Sequence, residues 1–231
     1  MSGLSALLDL LAPRPCGACR ADLPPALQGP LCAACLAALR PAAGRLCRRC
    51  HVPHGLPEDP CRRCRERLFA VDCIRAAFPY QAPVRELLHA YKYRGRRDAG
   101  EALAGWMAGL WRRHGELRES TGVVPVPLHP ERLRERGFNQ AEGLAAAVAR
   151  TAGVPLVPSL RRTRPTAARW RLSRKDRLKD LEGAFRCLGP APRRALLVDD
   201  VCTTGGTLEA CARALRAAGA ETVSAFVLAR G

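Results

Sequence analysis

The stretch Leu196-Leu197-Val198-Asp199-Asp200-Val201-Cys202-Thr203-Thr204-Gly205-Gly206-Thr207 passes from an apolar run into two carboxylates, then into a loop of hydroxyls and glycines. Residues 208–218 then read as a helix. Strand, glycine turn and helix in that order are what a phosphate-binding turn of a parallel α/β sheet requires. Gly205 and Gly206 let the backbone come close to a ligand, and the free N–H groups at the helix start favour an anion. Thr203, Thr204 and Thr207 add hydroxyl donors. Asp199 and Asp200 only accept hydrogen bonds, so they suit sugar hydroxyls or a Mg2+ ion rather than phosphate. A phosphorylated sugar satisfies both halves; an ordinary strand-turn-helix with an Asp/Thr cap is the plainer alternative.

The segments around this stretch alternate in the same way. Strands are expected at residues 73–80, 122–124, 195–201 and 222–229, and helices at 84–91, 99–113 and 139–151. Such alternation argues for a mainly parallel sheet flanked by helices. The segment 122–130 reads as a short strand that runs into a proline-stiffened loop, since Pro125 and Pro127 bracket Val126.

Ahead of these lie four Cys-x-x-Cys pairs: Cys16/Cys19, Cys32/Cys35, Cys47/Cys50 and Cys61/Cys64, with twelve, eleven and ten residues between successive pairs. Two such knuckles gather four thiolates around Zn2+, so eight ligands imply two structural zinc sites. Sequential pairing, first four and then last four, closes each half locally; spacing alone leaves a cross-brace open. A disulfide framework is the alternative, but no signal peptide is visible and the rest of the chain looks cytosolic. His51 and His54 are expected at the surface. The cysteine segment is too small to fold without metal. A zinc-ribbon domain over residues 1–68 and an α/β domain over 69–231 are therefore expected.

The chain of 231 residues carries a formal charge of +17, nearly all from arginine, since Lys92, Lys175 and Lys179 are its only lysines. An Ala/Arg-biased genome accounts for part of this charge, yet polyanionic partners fit it. Apolar runs are too short to cross a membrane, and residues 4–11 read as a short amphipathic docking helix. Residues 161–179 hold Arg161, Arg162, Arg164, Arg169, Arg171, Arg174, Lys175, Arg177 and Lys179 against one acid, Asp176. This stretch suits a flap over pyrophosphate or a nucleic-acid contact, with Trp170 as a stacking ring, or else a solvated arm. Arg48, Arg49, Arg62, Arg63 and Arg65 pose the same choice on the ribbons. His89, His114 and His129 lack a nucleophile partner, which argues against a hydrolytic triad. Cys73, Cys187 and Cys211 are expected in the core.

Val198-Asp199-Asp200-Val201-x-Thr203-Thr204-Gly205-Gly206-Thr207 closely resembles the phosphoribosyl pyrophosphate (PRPP) signature of type I phosphoribosyltransferases. The resemblance implies that Asp199 and Asp200 take the ribose hydroxyls and residues Thr203, Thr204, Gly205, Gly206 and Thr207 the 5-phosphate, with Mg2+ accompanying PRPP. Pro125-Val126-Pro127-Leu128-His129-Pro130-x-Arg132-x-x-x-Arg136-Gly137-Phe138-Asn139-Gln140 strongly resembles the ComF family, and Lys92-Tyr93-x-Gly95 is similar to a further stretch of it. That family joins cysteine ribbons to a type I phosphoribosyltransferase-like domain. Arg162, Arg164, Thr166, Leu172, Arg177, Ala184 and Phe185 fit its pattern more loosely. Arg169 replaces a usual glutamine and Asp180 a usual asparagine. The resemblance implies Lys92, Arg132 and Arg136 as pyrophosphate clamps, which guanidinium geometry suits. Asn139 and Gln140 either touch the ligand or cap the following helix. It further implies a role in DNA uptake with single-stranded DNA, beside a membrane-associated helicase. The implied setting is the cytoplasm, with the inner membrane face as a peripheral station. The alternative is an active phosphoribosyltransferase, of amidophosphoribosyltransferase or salvage type, with an unidentified acceptor and no DNA role. Oligomeric state is not legible.

Overall fold

The structure, a computed structural model, describes residues 14–25, 27–55, 59–65, 69–164, 181 and 183–231. The expected docking helix at residues 4–11 and the stretch from Thr166 through Arg169, Trp170, Arg171, Leu172, Arg174, Lys175, Asp176, Arg177 and Lys179 to Asp180 lie outside the described residues. Four parallel strands form the main sheet: β1 (Cys73–Pro79), β2 (Gly122–Pro125), β5 (Arg194–Cys202) and β6 (Thr222–Arg230), in the order β1-β6-β5-β2. A parallel sheet buries both faces, so its central strands must be apolar throughout rather than alternately polar. Leu196 and Val198 of β5, with Phe226 and Leu228 of β6, pack under α3 (Val84–Tyr93), α4 (Arg97–Trp111) and α6 (Gln140–Ala152). The intervening residues Ala195, Leu197, Ala225 and Val227 face the opposite layer. There α7 (Gly206–Ala217) buries Leu208, Cys211, Ala212 and Leu215, one helical face by spacing.

Two features were not expected from sequence. Residues 130–136 form a short helix, α5 (Pro130–Arg136), where a loop was expected. Pro130 sits in its first turn, where a missing N–H costs nothing, and the His129 side chain accepts from Glu131 N. β3 (Leu160–Arg162) and β4 (Phe185–Cys187) pair antiparallel, so the basic segment begins as a strand anchored by Leu160 and Phe185 in the core.

The cysteine segment closes against this body. Cys16, Leu23 and Leu31 belong to the same apolar core as α3 and α4. A side chain at Gly17 would stand 2.5 Å from Leu87, so only glycine permits that approach. The second half, which includes α2 (Arg62–Arg65), covers the outer edge of β1: Ile74 N donates to Arg49 O (2.7 Å) and Ala76 N to His51 Nδ1 (3.0 Å). Edge N–H groups that would otherwise be open to water or to another strand are thereby paired. His51 is buried, against the surface position expected for it, and the His54 side chain is only 9% exposed. Burial and the nearby Arg75 charge hold His51 down at about 4, which keeps Nδ1 available as an acceptor. Cys211 is buried as expected, whereas Cys73 and Cys187 are only half-buried at the margins of the core.

The link from ribbon to sheet is fixed by one carboxylate. Glu209, in the first turn of α7, accepts from Ala70 N through both oxygens at 2.9 Å and is only 13% exposed. Glu209→Ala leaves that amide unpaired in a half-buried joint. It is expected to lower unfolding free energy by about 1–3 kcal/mol in urea titration, against under ~0.5 kcal/mol for an exposed control such as Glu101→Ala.

Candidate functional site

β5 carries Asp199 and Asp200 to its carboxyl end, half-buried, with the Asp200 amide donating to Asp199 Oδ1 at 2.8 Å. The chain then turns through Thr203 and Thr204 to Gly205, whose φ of +81° lies in the left-handed region that favours glycine. α7 starts at Gly206, so the N–H groups of its first turn follow the carboxylates by only a short turn of chain. Carboxyl ends of parallel strands are where open α/β sheets bind ligands. The stretch singled out by sequence therefore lies where it can act.

Residues distant in sequence meet it. Lys92, in the last turn of α3, places Nζ 2.7 Å from Asp200 Oδ2, with the two side chains 16% and 14% exposed. The next residue, Tyr93, projects outward, and the Arg136 guanidinium both covers its ring at 4.9 Å and donates to its hydroxyl at 2.9 Å. Arg136 also donates to buried Gln140 at 2.8 Å. Four elements therefore meet through Asp200, Lys92, Tyr93, Arg136 and Gln140. Tyr91 packs behind them against Phe138, with ring centres 5.0 Å apart; burial and then the Asp200 charge push its phenol up. Arg132 instead pairs with Glu135 at 2.8 Å on the exposed side of α5. Asn139 serves as a cap, accepting from Ala141 N and donating to Val126 O, each at 3.1 Å.

Arg230 was not singled out from sequence. It closes the strand after the apolar run at residues 225–229 and is buried, reaching the carbonyls of Cys50, Cys202 and Thr203. A lone charge at the end of that apolar run was the available signal, since such a charge needs partners.

The cysteines gather as two groups, Cys16/Cys19/Cys32/Cys35 and Cys47/Cys50/Cys61/Cys64, the sequential arrangement. Within each, all four sulfurs lie within 4.8 Å of one another, and the Cys19–Cys32 and Cys50–Cys61 distances are 3.7 and 3.8 Å. A tetrahedron with ~2.3 Å metal–sulfur bonds has edges of about 3.8 Å, so both groups fit a thiolate-held ion such as zinc. Burial pushes Cys16 up, but N–H groups of Cys32, Ala18 and Cys19 outweigh it and bring the thiol down to about 6. Burial is likewise outweighed at Cys47, which stands at about 7, whereas burial and neighbouring cysteines drive Cys35 up to about 12 and Cys64 higher still. Four thiolates this close repel one another, and a dication removes that cost.

The Lys92–Asp200 pair is nearly enclosed, so breaking it strands a charge. Lys92→Met is expected to cost about 1–3 kcal/mol in urea unfolding. Lys92→Met with Asp200→Asn should cost less than the two single changes added, a coupling of about 1 kcal/mol in a double-mutant cycle.

Comparison with known proteins agrees with these features. Residues 188–231 match the family described as "Phosphoribosyl transferase domain". DNA utilization protein YhgH of Salmonella typhi is 33% identical over 226 residues, which cover 96% of this chain and 99% of that protein. Competence protein F of Haemophilus influenzae is 30% identical over 223 residues, covering 93% and 96%. Among solved structures, glutamine PRPP amidotransferase from B. subtilis aligns over 56% of this chain and 26% of its own, at 19% identity and a TM-score of 0.39. The chain belongs to the ComF family, as the motifs at residues 92–95 and 125–140 implied.

Proposed function

We propose that this ComF-family chain binds PRPP in a phosphoribosyltransferase-like site and works on single-stranded DNA during uptake. The observation that carries the first half is the ion pair that Lys92 makes with Asp200 at the carboxyl end of β5, just before the glycine turn that opens α7; Arg136 is bonded to Tyr93, the residue after Lys92. In this reading Asp199 and Asp200 accept from the ribose 2- and 3-hydroxyls. The N–H groups and hydroxyls of residues 203–207 hold the 5-phosphate. Lys92 and Arg136 face the pyrophosphate, and Arg132 joins them once released from Glu135. Mg2+ bound with PRPP neutralises part of the pyrophosphate charge.

The second half is supported by the names of the relatives, a DNA utilization protein and a competence protein, and by the charge of +17. Arginine-rich surfaces attract nucleic-acid phosphates by releasing counterions. The two cysteine groups each hold one structural zinc, which in turn fits a reducing compartment and a cytoplasmic setting. Residues 1–68 form the metal-held module and residues 69–231 the ligand-binding one. Among the described residues no helix is long and apolar enough to cross a membrane.

Asp199→Asn/Asp200→Asn is expected to weaken Mg-PRPP binding at least tenfold by calorimetry, and equal affinity for parent and variant would remove the ribose assignment. In the same protein, affinity for a single-stranded oligonucleotide should fall by about tenfold or more between 50 and 200 mM salt. A salt-independent affinity would refute a phosphate-backbone contact. Pyrophosphate release over a panel of bases and amines then separates a binding protein from a transferase.

Elemental analysis of the purified chain should give two zinc per molecule, and Cys64→Ser should reduce that to one. A parent value well below two would count against the paired sites.

A further inference from the structure

The second cysteine group and the phosphate loop, far apart in sequence, are joined by one buried guanidinium. Arg230 is 6% exposed. Its Nε donates to Cys50 O at 3.1 Å, and its Nη1 donates to Cys202 O at 2.8 Å and to Thr203 O, with Cys202 Sγ also at 2.8 Å. Among the described residues no carboxylate pairs with it. Its charge is therefore met by the carbonyls of Cys202 and Thr203 and the Cys202 sulfur on one side, and by the Cys50 carbonyl on the other. Four thiolates around one dication would leave a net double negative charge on the group to which Cys50 belongs, whose carbonyl Arg230 already holds.

Two further contacts run in the same direction. Cys50 stands in the turn whose shape the metal would fix, because Cys47 and Cys50 belong to one four-sulfur group and His51 N donates to Cys47 O at 2.8 Å. Glu209, four residues beyond Gly205, holds the Ala70 amide where the chain leaves that module. The phosphate loop is thus tied to the second module at Cys202 and Thr203, and the helix that follows it is tied through Glu209 to the chain just past that module. A small cavity lined by Cys50, Cys64, Phe69, Ile74, Gly205 and Arg230 lies between the two. Carbonyl direction in a tight loop decides where its N–H groups point, so a shift at Cys50 reaches the anion site through Arg230.

We propose that Arg230 is a positioning residue that couples the second metal site to the phosphate loop. A metal held by Cys47, Cys50, Cys61 and Cys64, and PRPP held by residues 199–207, then raise each other's affinity. This rests on the PRPP reading given above. The coupling must be reciprocal, because both ligands bias one arrangement of Cys50, Arg230, Cys202 and Thr203.

The test is zinc competition by a chromogenic chelator on the full-length protein, with and without Mg-PRPP. PRPP should raise the chelator concentration needed to strip one of the two zinc ions by about tenfold, within the usual range of such couplings. In Cys19→Ser, which lacks the first site, the protected zinc should remain. Arg230→Met should keep two zinc and lose the protection, and Arg230→Lys should recover part of it, since lysine restores the charge without the fork. Asp199→Asn/Asp200→Asn should show no protection, which rules out an action of PRPP on zinc in solution. Equal stripping curves for a parent protein that binds PRPP by calorimetry would overturn the coupling and leave the site reading intact. Absence of PRPP binding in the parent would overturn both. Protection confined to the zinc lost in Cys19→Ser would also overturn it. The parent comparison tests the coupling itself even if Arg230→Met fails to fold. Arg230→Lys then tests the part played by the guanidinium, and full protection in Arg230→Lys would overturn that part.

Discussion

β5 and β6 run side by side at the centre of a parallel sheet with an apolar layer on each face, and this leaves polar chemistry one place to go. Leu196, Leu197 and Val198 have no exposed face between them, so a carboxylate among them would be buried without a partner. Asp199 and Asp200 come directly after the fully buried run at residues 195–198 of β5 and are only half-buried. Across the register, Val227 and Ala229, opposite Asp199 and Val201, stay buried on β6. Site and fold are one consequence of covering a parallel sheet on both sides.

The same constraint explains why the cysteine modules are docked rather than tethered. β1 is an edge strand, and its outward amides at Ile74 and Ala76 are taken up by Arg49 and His51 of the second module. The first module instead fills a groove over α3, where Gly17 lies against Leu87. At the other edge, Val123 N donates to Pro155 O and Val157 N to Val123 O, so β2 is also covered by chain without a full strand. Neither edge of the sheet is left open to pair with another molecule at these positions.

Much of this was legible in the sequence because the signals were local. Helix and strand periodicity, the run through Asp199 to Thr207 and the spacing of the cysteines each depend on neighbours within a few turns of chain. α5 was missed because Pro125, Pro127 and Pro130 read together as a loop, although Pro130 only marks the first turn of a helix. His51 was expected at the surface because the sequence gives no sign that the edge of β1 needs an acceptor there. Arg230 was missed for the opposite reason: its partners, Cys50, Cys202 and Thr203, lie up to 180 residues away. Burial of a charge becomes intelligible only once the residues that satisfy it are known.

Charge near the ligand site and charge over the whole chain play different parts. At the site Lys92 neutralises Asp200, and Arg136 is spent on Gln140 and the Tyr93 ring, so the local field is modest before anything binds. Several surface arginines are likewise paired, Arg132 with Glu135, Arg193 with Glu221 and Arg213 with Glu209. A chain of 38 basic and 21 acidic side chains nonetheless keeps most of its excess unmatched. Fields from exposed charges decay over about 8 Å at physiological salt. The excess therefore acts on what touches the surface rather than on a small ligand drawn from a distance. A polyanion that lies along many arginines at once gains from every one of them, whereas a compact anion gains only from the few it touches. The distribution of charge thus favours a chain-like partner for the surface, while Lys92 and Arg136 are engaged by Asp200, Gln140 and Tyr93 within the fold.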